Sequence, residues 1–353
     1  MIKESISQNM RAALWYAPGI ALTVQSIPTP KIEDEEDVLI KVRAAIFGSA
    51  LVRAATVGHP KIVPPDVLGT LVAGDVVAVG AKVNIPIGTP VTVDPHPPCH
   101  SCPNCLNNAE SLCLTKKKVE PGGLSEYVRI RRPLSAYIRE IPSGLSYASA
   151  AYTEIVACVA EATLVSEISF GDTVVVVGCG PIALLQIQLA RLRGATQVIC
   201  LSNHPERETA IIRAGAVMLD VKRGDIEKRV KELLNGQSAD VVIEAVGRSE
   251  TYSLSLNLVR PGGSVVGFGG CLLGSSFTID PNYIHYQGIR LIGCYHYRPG
   301  MFNRALKLLA TKKVALEEII THRLPLSEVS DAPKIAGSAD CIALVIEPDN
   351  VSM

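Results

Sequence analysis

Residues Thr173-Val-Val-Val-Val-Gly178-Cys-Gly180-Pro-Ile-Ala183 constrain the fold of this chain more than any other stretch. A run of β-branched residues reads as a buried strand. It enters a G-x-G-x-x-A turn and then an apolar helix from Ile182 to Leu192. Gly178 permits the tight turn, Gly180 lets the backbone approach a pyrophosphate, and Ala183 keeps the helix close to the strand. The helix N-terminus then offers unbonded amides to an anion. The stretch predicts a dinucleotide site contacted by Gly178, Gly180, Pro181, Ile182 and Ala183, with Ala245 and Val246 expected beside it at the end of a later strand. A glycine turn with no ligand is the alternative.

Strand and helix alternate from this point. Val198–Leu201, Val217–Leu219, Asp240–Ala245 and Gly263–Phe268 read as strands, and Pro181–Arg193, Pro205–Arg213, Ile226–Asn235 and Glu250–Leu258 as helices. Parallel strands need such crossovers, so 156–294 predicts a doubly wound parallel sheet. Before it, Val38–Val42, Val67–Val72, Asp75–Val79, Pro90–Val93 and Glu126–Ile130 are short β-branched runs punctuated by Gly and Pro, as in a small β-rich domain. After Leu291–Cys294 come one helix, Phe302–Ala310, then Ile319–Leu324 and a last strand, Cys341–Ile346. This tail is assigned to the first domain, which then comprises 1–155 and 295–353 and closes a cleft against the second. The fold class is α/β.

The end of the second Rossmann strand selects the cofactor, because a carboxylate there holds a ribose 2′-hydroxyl and repels a 2′-phosphate. Here the run is Ser202-Asn203-His204-Pro205-Glu206-Arg207. Ser202 takes the acidic position, Asn203 follows, and Arg207 is placed to reach a phosphate. NADP(H) is therefore favoured over NAD(H), the alternative being that Arg207 only balances charge on a solvated helix.

Cys99-x-x-Cys102-x-x-Cys105-x7-Cys113 gathers four thiols in one lobe, about 95–115. Four sulfurs close a tetrahedral zinc shell and leave no position for water or substrate, so the expected ion is one structural zinc. Disulfides or an iron–sulfur cluster are the alternatives, and His100 reads as a bystander.

The β-rich first domain, the cysteine lobe and G-x-G-P-I opening a Rossmann helix resemble the zinc-containing medium-chain dehydrogenase/reductase family, which includes alcohol, sorbitol and threonine dehydrogenases. The resemblance extends through Gly122-Gly-Leu-Ser-Glu-Tyr-Val128 and Pro261-Gly-Gly-Ser-Val-Val-Gly267, and implies that the latter strand, with Gly267, runs near the nicotinamide. It implies a GroES-like catalytic domain beside the Rossmann domain and a nicotinamide-dependent oxidoreductase. It also implies a catalytic zinc, and this sequence departs from the family there. The family's first ligand position falls on Phe47 and the next His-Glu pair on Thr70-Leu71, while its relay positions fall on Ala50 and Val52. Only Ser49 and Glu154 match. Zinc needs about three protein ligands, so one zinc per chain is expected and hydride transfer proceeds without a metal.

That leaves reduction of an activated alkene or iminium, or interconversion of a sugar-like alcohol and ketone served by a protein base. Candidate catalytic residues are Glu154, Ser49, His59, Thr70 and His296, the last inside Tyr295-His296-Tyr297-Arg298, whose donors suit a polar substrate. Three of them have a plain alternative: an acceptor of hydrogen bonds from backbone or a nearby Arg for Glu154, a solvated loop for His59, an interdomain hinge for His296. A non-catalytic cofactor-binding or scaffold protein is the competing function, and a zinc held by unexpected ligands such as His59 and Glu154 is a third.

Lys+Arg and Asp+Glu both number 34, so no net field draws nucleic acid or anionic lipid. With 48% hydrophobic and 19% charged residues, the composition is that of a packed enzyme. Met1–Arg11 has no apolar signal core and no run suits a membrane span, so the chain reads as cytoplasmic. The expected partner is a small-molecule substrate. A homo-oligomer, dimer or tetramer, is expected through the apolar strand Ile289–Gly293, unless the chain's own tail covers it.

Overall fold

The computed structural model describes residues 6–58, 62–115 and 119–348. The chain groups into two compact units, Met1–Glu154 with Phe302–Ala310 and Ile320–Met353, and Ile155–Met301 with Thr311–Ile319. The return to the first unit thus begins at Phe302 rather than at 295, and Thr311–Ile319 stays with the second.

In chain order the first unit contributes β1 (Asn9–Trp15), β2 (Thr23–Pro28), β3 (Val38–Ile46), β4 (Asp66–Val67), β5 (Val72–Val79), β6 (Pro90–Val93), β7 (Tyr127–Ile130) and β8 (Ile138–Glu140). The second contributes β9 (Thr173–Val177), β10 (Gln197–Ser202), β11 (Val217–Asp220), β12 (Ala239–Glu244), β13 (Val259–Gly267) and β14 (Arg290–Gly293). Then β15 (Ile320–Pro325) and β16 (Ala343–Glu347) rejoin the first.

The first unit holds a three-stranded sheet in the order β2-β1-β4 and a seven-stranded sheet in the order β15-β16-β3-β5-β6-β8, with β7 paired to β3. β5 runs unbroken through Gly74, where the sequence suggested a gap, because a Cβ at Gly74 would lie 2.0 Å from the Lys41 carbonyl oxygen of β3. Glycine there admits the neighbouring strand rather than ending its own. Trp15, Val42, Leu68, Val72, Leu124 and Leu344 belong to one buried core.

The second unit is a parallel six-stranded sheet in the order β11-β10-β9-β12-β13-β14. Its order reverses between β9 and β12, the switch point where such sheets bind ligands beyond the strand C-termini. Val174 to Val177 are all buried, as expected of a central strand covered on both faces. The helix Pro181–Arg193 follows, with Pro181 in its first turn and Gly194 in the left-handed conformation as its C-cap. The region read as one helix, Pro205–Arg213, is a 3₁₀ turn, Pro205–Arg207, followed by the helix Glu208–Ala214.

Candidate active site and metal lobe

The glycine turn has the form a pyrophosphate needs. Gly178 has φ 118°, and a Cβ there would meet Val246 Cγ2 at 3.0 Å and the Ala245 carbonyl oxygen at 3.4 Å. The turn is therefore closed by Ala245 and Val246, and a side chain at 178 is excluded. Gly180 is the N-cap of the following helix, with no side chain bonded to the first amides, and a Cβ there would meet no protein atom within 4 Å. Open space in front of unbonded helical amides fits a bound phosphate. Ala183 is fully buried, Pro181 and Ile182 half-buried. Gly267 closes β13, and the Tyr252 ring occupies the space a Cβ would fill.

At the end of β10, Ser202 is turned inward. Its hydroxyl accepts the His204 amide at 3.0 Å and donates to the His204 carbonyl at 3.2 Å, so it closes a turn instead of facing a ribose. Asn203 is exposed beside it. Arg207 leans over the glycine turn, donating from Nη1 to the Cys179 carbonyl at 3.2 Å. His204 Nδ1 meets Glu206 Oε1 at 2.8 Å. The Glu206 carboxyl is held below its ordinary range by its own backbone amide, then by His204 and Arg207.

The sequence reading passed over Glu244, which is fully buried at the end of β12. Its Oε1 accepts the amides of Val246 (2.9 Å) and Gly247 (2.8 Å) and the Thr251 hydroxyl (2.7 Å). Its backbone carbonyl accepts Phe268 and Gly269 amides. One residue thereby fixes both loops that follow β12 and β13.

The four lobe cysteines bring their sulfurs within 4.8 Å of one another. Cys99 and Cys105 sulfurs are 3.9 Å apart, matching the edge of about 3.8 Å that Zn–S bonds of about 2.3 Å give a tetrahedron. Backbone amides point at the sulfurs: Cys102 N–H at Cys99 Sγ and Cys99 N–H at Cys113 Sγ, both 3.3 Å. Hydrogen bonds from Ser101 and Cys102 hold the metal-free Cys99 thiol down to about 5, whereas burial and neighbouring thiols push Cys105 up to about 12. The donor set fits a zinc ion; His100 is exposed at φ 56°.

Of the family's catalytic-metal positions, the one at Phe47 is filled by packing. Phe47 is 2% exposed in the first unit's core, its amide donating to the Leu344 carbonyl at 3.1 Å. Ser49 and Ala50 are exposed on the first turn of the helix Ser49–Val57, an element the sequence reading missed. Thr70 and Leu71 are half-buried between β4 and β5. His59 lies outside the described residues.

Glu154 opens the helix Thr153–Val165 and is 8% exposed. His96, another residue the sequence reading passed over, places Nε2 3.2 Å from Glu154 Oε1. Its backbone amide donates to Asp94 Oδ1 at 3.2 Å, which fixes the loop leaving β6. A buried carboxylate against an imidazole can hold one proton and pass it to or from a substrate oxygen. In the second unit, His296 is half-buried with φ 55° and meets the Tyr295 ring edge-on at 4.0 Å between centroids. Arg298 is engaged by Glu161, with Nε and Nη2 each 2.7 Å from Oε1. The expected use of Arg298 as a substrate donor is thus replaced by an internal ion pair.

A β-rich unit with a four-cysteine lobe and a Rossmann unit with this glycine turn define the medium-chain dehydrogenase/reductase class. The family description "Alcohol dehydrogenase GroES-like domain" matches residues 34–143, and "Zinc-binding dehydrogenase" matches 181–311. A sorbitol dehydrogenase of Halalkalibacterium halodurans is 31% identical over 91% of this chain and 93% of that enzyme. The L-galactonate-5-dehydrogenase of Escherichia coli is 28% identical over 87% and 89%. A solved zinc-binding dehydrogenase of Sinorhizobium meliloti, bound to NADP, superposes with TM-score 0.89 at 30% identity, covering 97% of this chain and all of that one. The chain belongs to the zinc-type medium-chain dehydrogenase family and is an NAD(P)-dependent oxidoreductase. Among the described residues no helix is long and apolar enough to cross a membrane.

Proposed function

We propose that this chain interconverts a polyol or sugar-like alcohol and its ketone with NADP(H), without a zinc at the family's catalytic position and with His96–Glu154 serving the substrate oxygen. The observation that carries this is the 3.2 Å pair of His96 and buried Glu154 in a unit whose family ligand position, Phe47, is part of the core. The names of its relatives, sorbitol, L-galactonate and erythritol/L-threitol dehydrogenases, point to the same substrate class.

The nicotinamide, when bound, takes up or gives back a hydride at carbon. The protein's own work is the proton and the positioning. In the oxidative direction the His96–Glu154 pair accepts the hydroxyl proton as carbon loses hydride; in reduction it returns that proton to the carbonyl oxygen. Ser49, Thr70 and His296 are assigned to the remaining substrate oxygens. On the cofactor side, Gly178, Gly180, Pro181, Ile182 and Ala183 form the pyrophosphate cradle, and Ala245, Val246 and Gly267 line the strand ends. Asn203 and Arg207 face the adenosine end, where Arg207, seated on the Cys179 carbonyl, favours a 2′-phosphate. Cys99, Cys102, Cys105 and Cys113 would hold one structural zinc, which cross-links its loop. The free edge of β14, with Leu291 exposed, is assigned to a homodimer.

The test is turnover of sorbitol, erythritol, L-threitol and L-galactonate with NADP+ and NAD+, beside reduction of 2-cyclohexenone and a cyclic iminium. Polyol oxidation faster with NADP+ is expected. Activity only on the alkene or iminium would replace the substrate class, and failure to bind either nicotinamide would overturn the reading.

A further inference from the structure

His296 is one of six non-glycine residues in the left-handed region among the described residues. Such a conformation is costly for a residue with a Cβ and persists where the surroundings over-determine it. The surroundings here are specific. Before His296, the Cys294 amide donates to the Gly267 carbonyl at 3.1 Å, fixing the chain to the end of β13. After it, Tyr297 is 6% exposed. Next, Arg298 binds Glu161 three times, through its backbone amide to Oε2 at 3.3 Å and through Nε and Nη2 to Oε1 at 2.7 Å.

Glu161 is itself unusual, a 7% exposed carboxylate in the middle of the helix Thr153–Val165. A buried carboxylate on an apolar helix is retained only when paired. Its partner reaches back to a five-residue segment, 294–298, that contains no regular secondary structure. The fork of a guanidinium fixes direction as well as distance, which a lysine in its place would not do.

We infer that the Glu161–Arg298 pair is a positioning device that holds His296 in the left-handed conformation, so that its imidazole meets an alcohol or carbonyl oxygen of the substrate. This rests on the oxidoreductase reading given above. Backbone strain at His296 is the trade for a rigid donor at the site, and Glu161 and Arg298 act only through it. His296 is the contact; the ion pair sets where it points.

Three variants test this: His296→Gly, His296→Asn and Arg298→Lys. Each is compared with the parent protein for Tm, for NADPH affinity by fluorescence, and for kcat/KM on whichever of sorbitol, erythritol, L-threitol and L-galactonate turns over fastest. Gly and Asn suit the left-handed conformation, so both variants should match or exceed the parent Tm while kcat/KM falls at least ten-fold and NADPH affinity stays within two-fold. Arg298→Lys should raise KM for the polyol more than it lowers kcat, again with NADPH affinity unchanged. A His296→Gly protein with kcat/KM within two-fold of the parent overturns the inference. So does a Tm lowered by more than about 4 °C, which would make the histidine a packing residue. If the parent turns over none of the four polyols, the substrate reading fails instead, and the sign of the Tm change still decides whether position 296 is strained.

Discussion

Replacing Phe47 with alanine probes the point where this chain departs from its family. Phe47 is 2% exposed and shares its core with Leu68, Val72, Leu124 and Leu344. Deleting a buried phenylalanine ring removes its transfer free energy and leaves a cavity, together about 3–5 kcal/mol. At roughly 2–4 °C per kcal/mol for a domain of about 150–250 residues, the Tm of the first unit should fall by about 6–20 °C. Scanning calorimetry of the purified chain, with and without NADPH, measures this directly. Phe47→Cys is the companion variant, because it restores the residue type of the family's first zinc ligand. With Thr70 and Leu71 unchanged it should bind no more zinc than the parent. A Phe47→Ala protein whose Tm moves by less than about 1 °C would show that the ring is not part of the core. Uptake of an additional zinc by Phe47→Cys would show that the remaining ligands are still in place, refuting the argument that the site is dismantled.

His96→Gln and Glu154→Gln should each lower kcat/KM by about 10²–10⁴-fold while leaving NADPH affinity unchanged, as stopped-flow and fluorescence titration would show. Arg207→Ala should raise KM for NADPH about ten-fold or more and leave KM for NADH near its starting value, measured by steady-state kinetics with both cofactors. Burial alone raises the Asp240 carboxyl, but the Thr173 amide and hydroxyl, at 2.7 and 2.8 Å, and Arg260 outweigh it and hold the group below its ordinary value. A depressed carboxylate stabilises fully above its unfolded pKa, about 3.9. That contribution is lost as pH falls from about 4 through the folded value. Urea unfolding at pH 7 should find Asp240→Asn less stable than the parent, and the gap should narrow as the solution is acidified below pH 4.

The dinucleotide turn and the cysteine lobe were legible because their signals are local. A β-branched run ending at Gly178 and four thiols between Cys99 and Cys113 each carry their geometry within a short stretch. The helix Ser49–Val57 was not legible, since its N-cap is Gly48 with no side-chain cap and its first turn has no acidic residue to mark a start. Gly74 misled in the opposite sense, reading as a break because its close approach to Lys41 belongs to another strand. His96 was invisible for the same reason. Its meaning comes from Glu154, far along the chain, and the fold brings the two together, with the Thr92 hydroxyl of β6 donating to the Ala150 carbonyl just ahead of the helix Thr153–Val165. Arg298 looked like a substrate donor because nothing local reveals Glu161, two turns beyond Glu154 on the same helix. Ser202 lies at the end of its strand as expected, but its hydroxyl is taken up by the His204 amide and carbonyl, a turn that the run of residue types does not reveal.

The dehydrogenase proposed above keeps the cysteine lobe and works without the family's catalytic zinc. His96, Glu154 and His296 are all metal-ligand residue types, so counting the metal separates proton transfer from coordination. Elemental analysis of the parent chain and of Cys99→Ser/Cys102→Ser, each dialysed against trace zinc, is the most direct test. One zinc per chain is expected in the parent and none in the double variant; two zinc ions per chain, with one surviving loss of the lobe, would mean that a second metal site is occupied and that the proposed proton transfer without zinc is wrong.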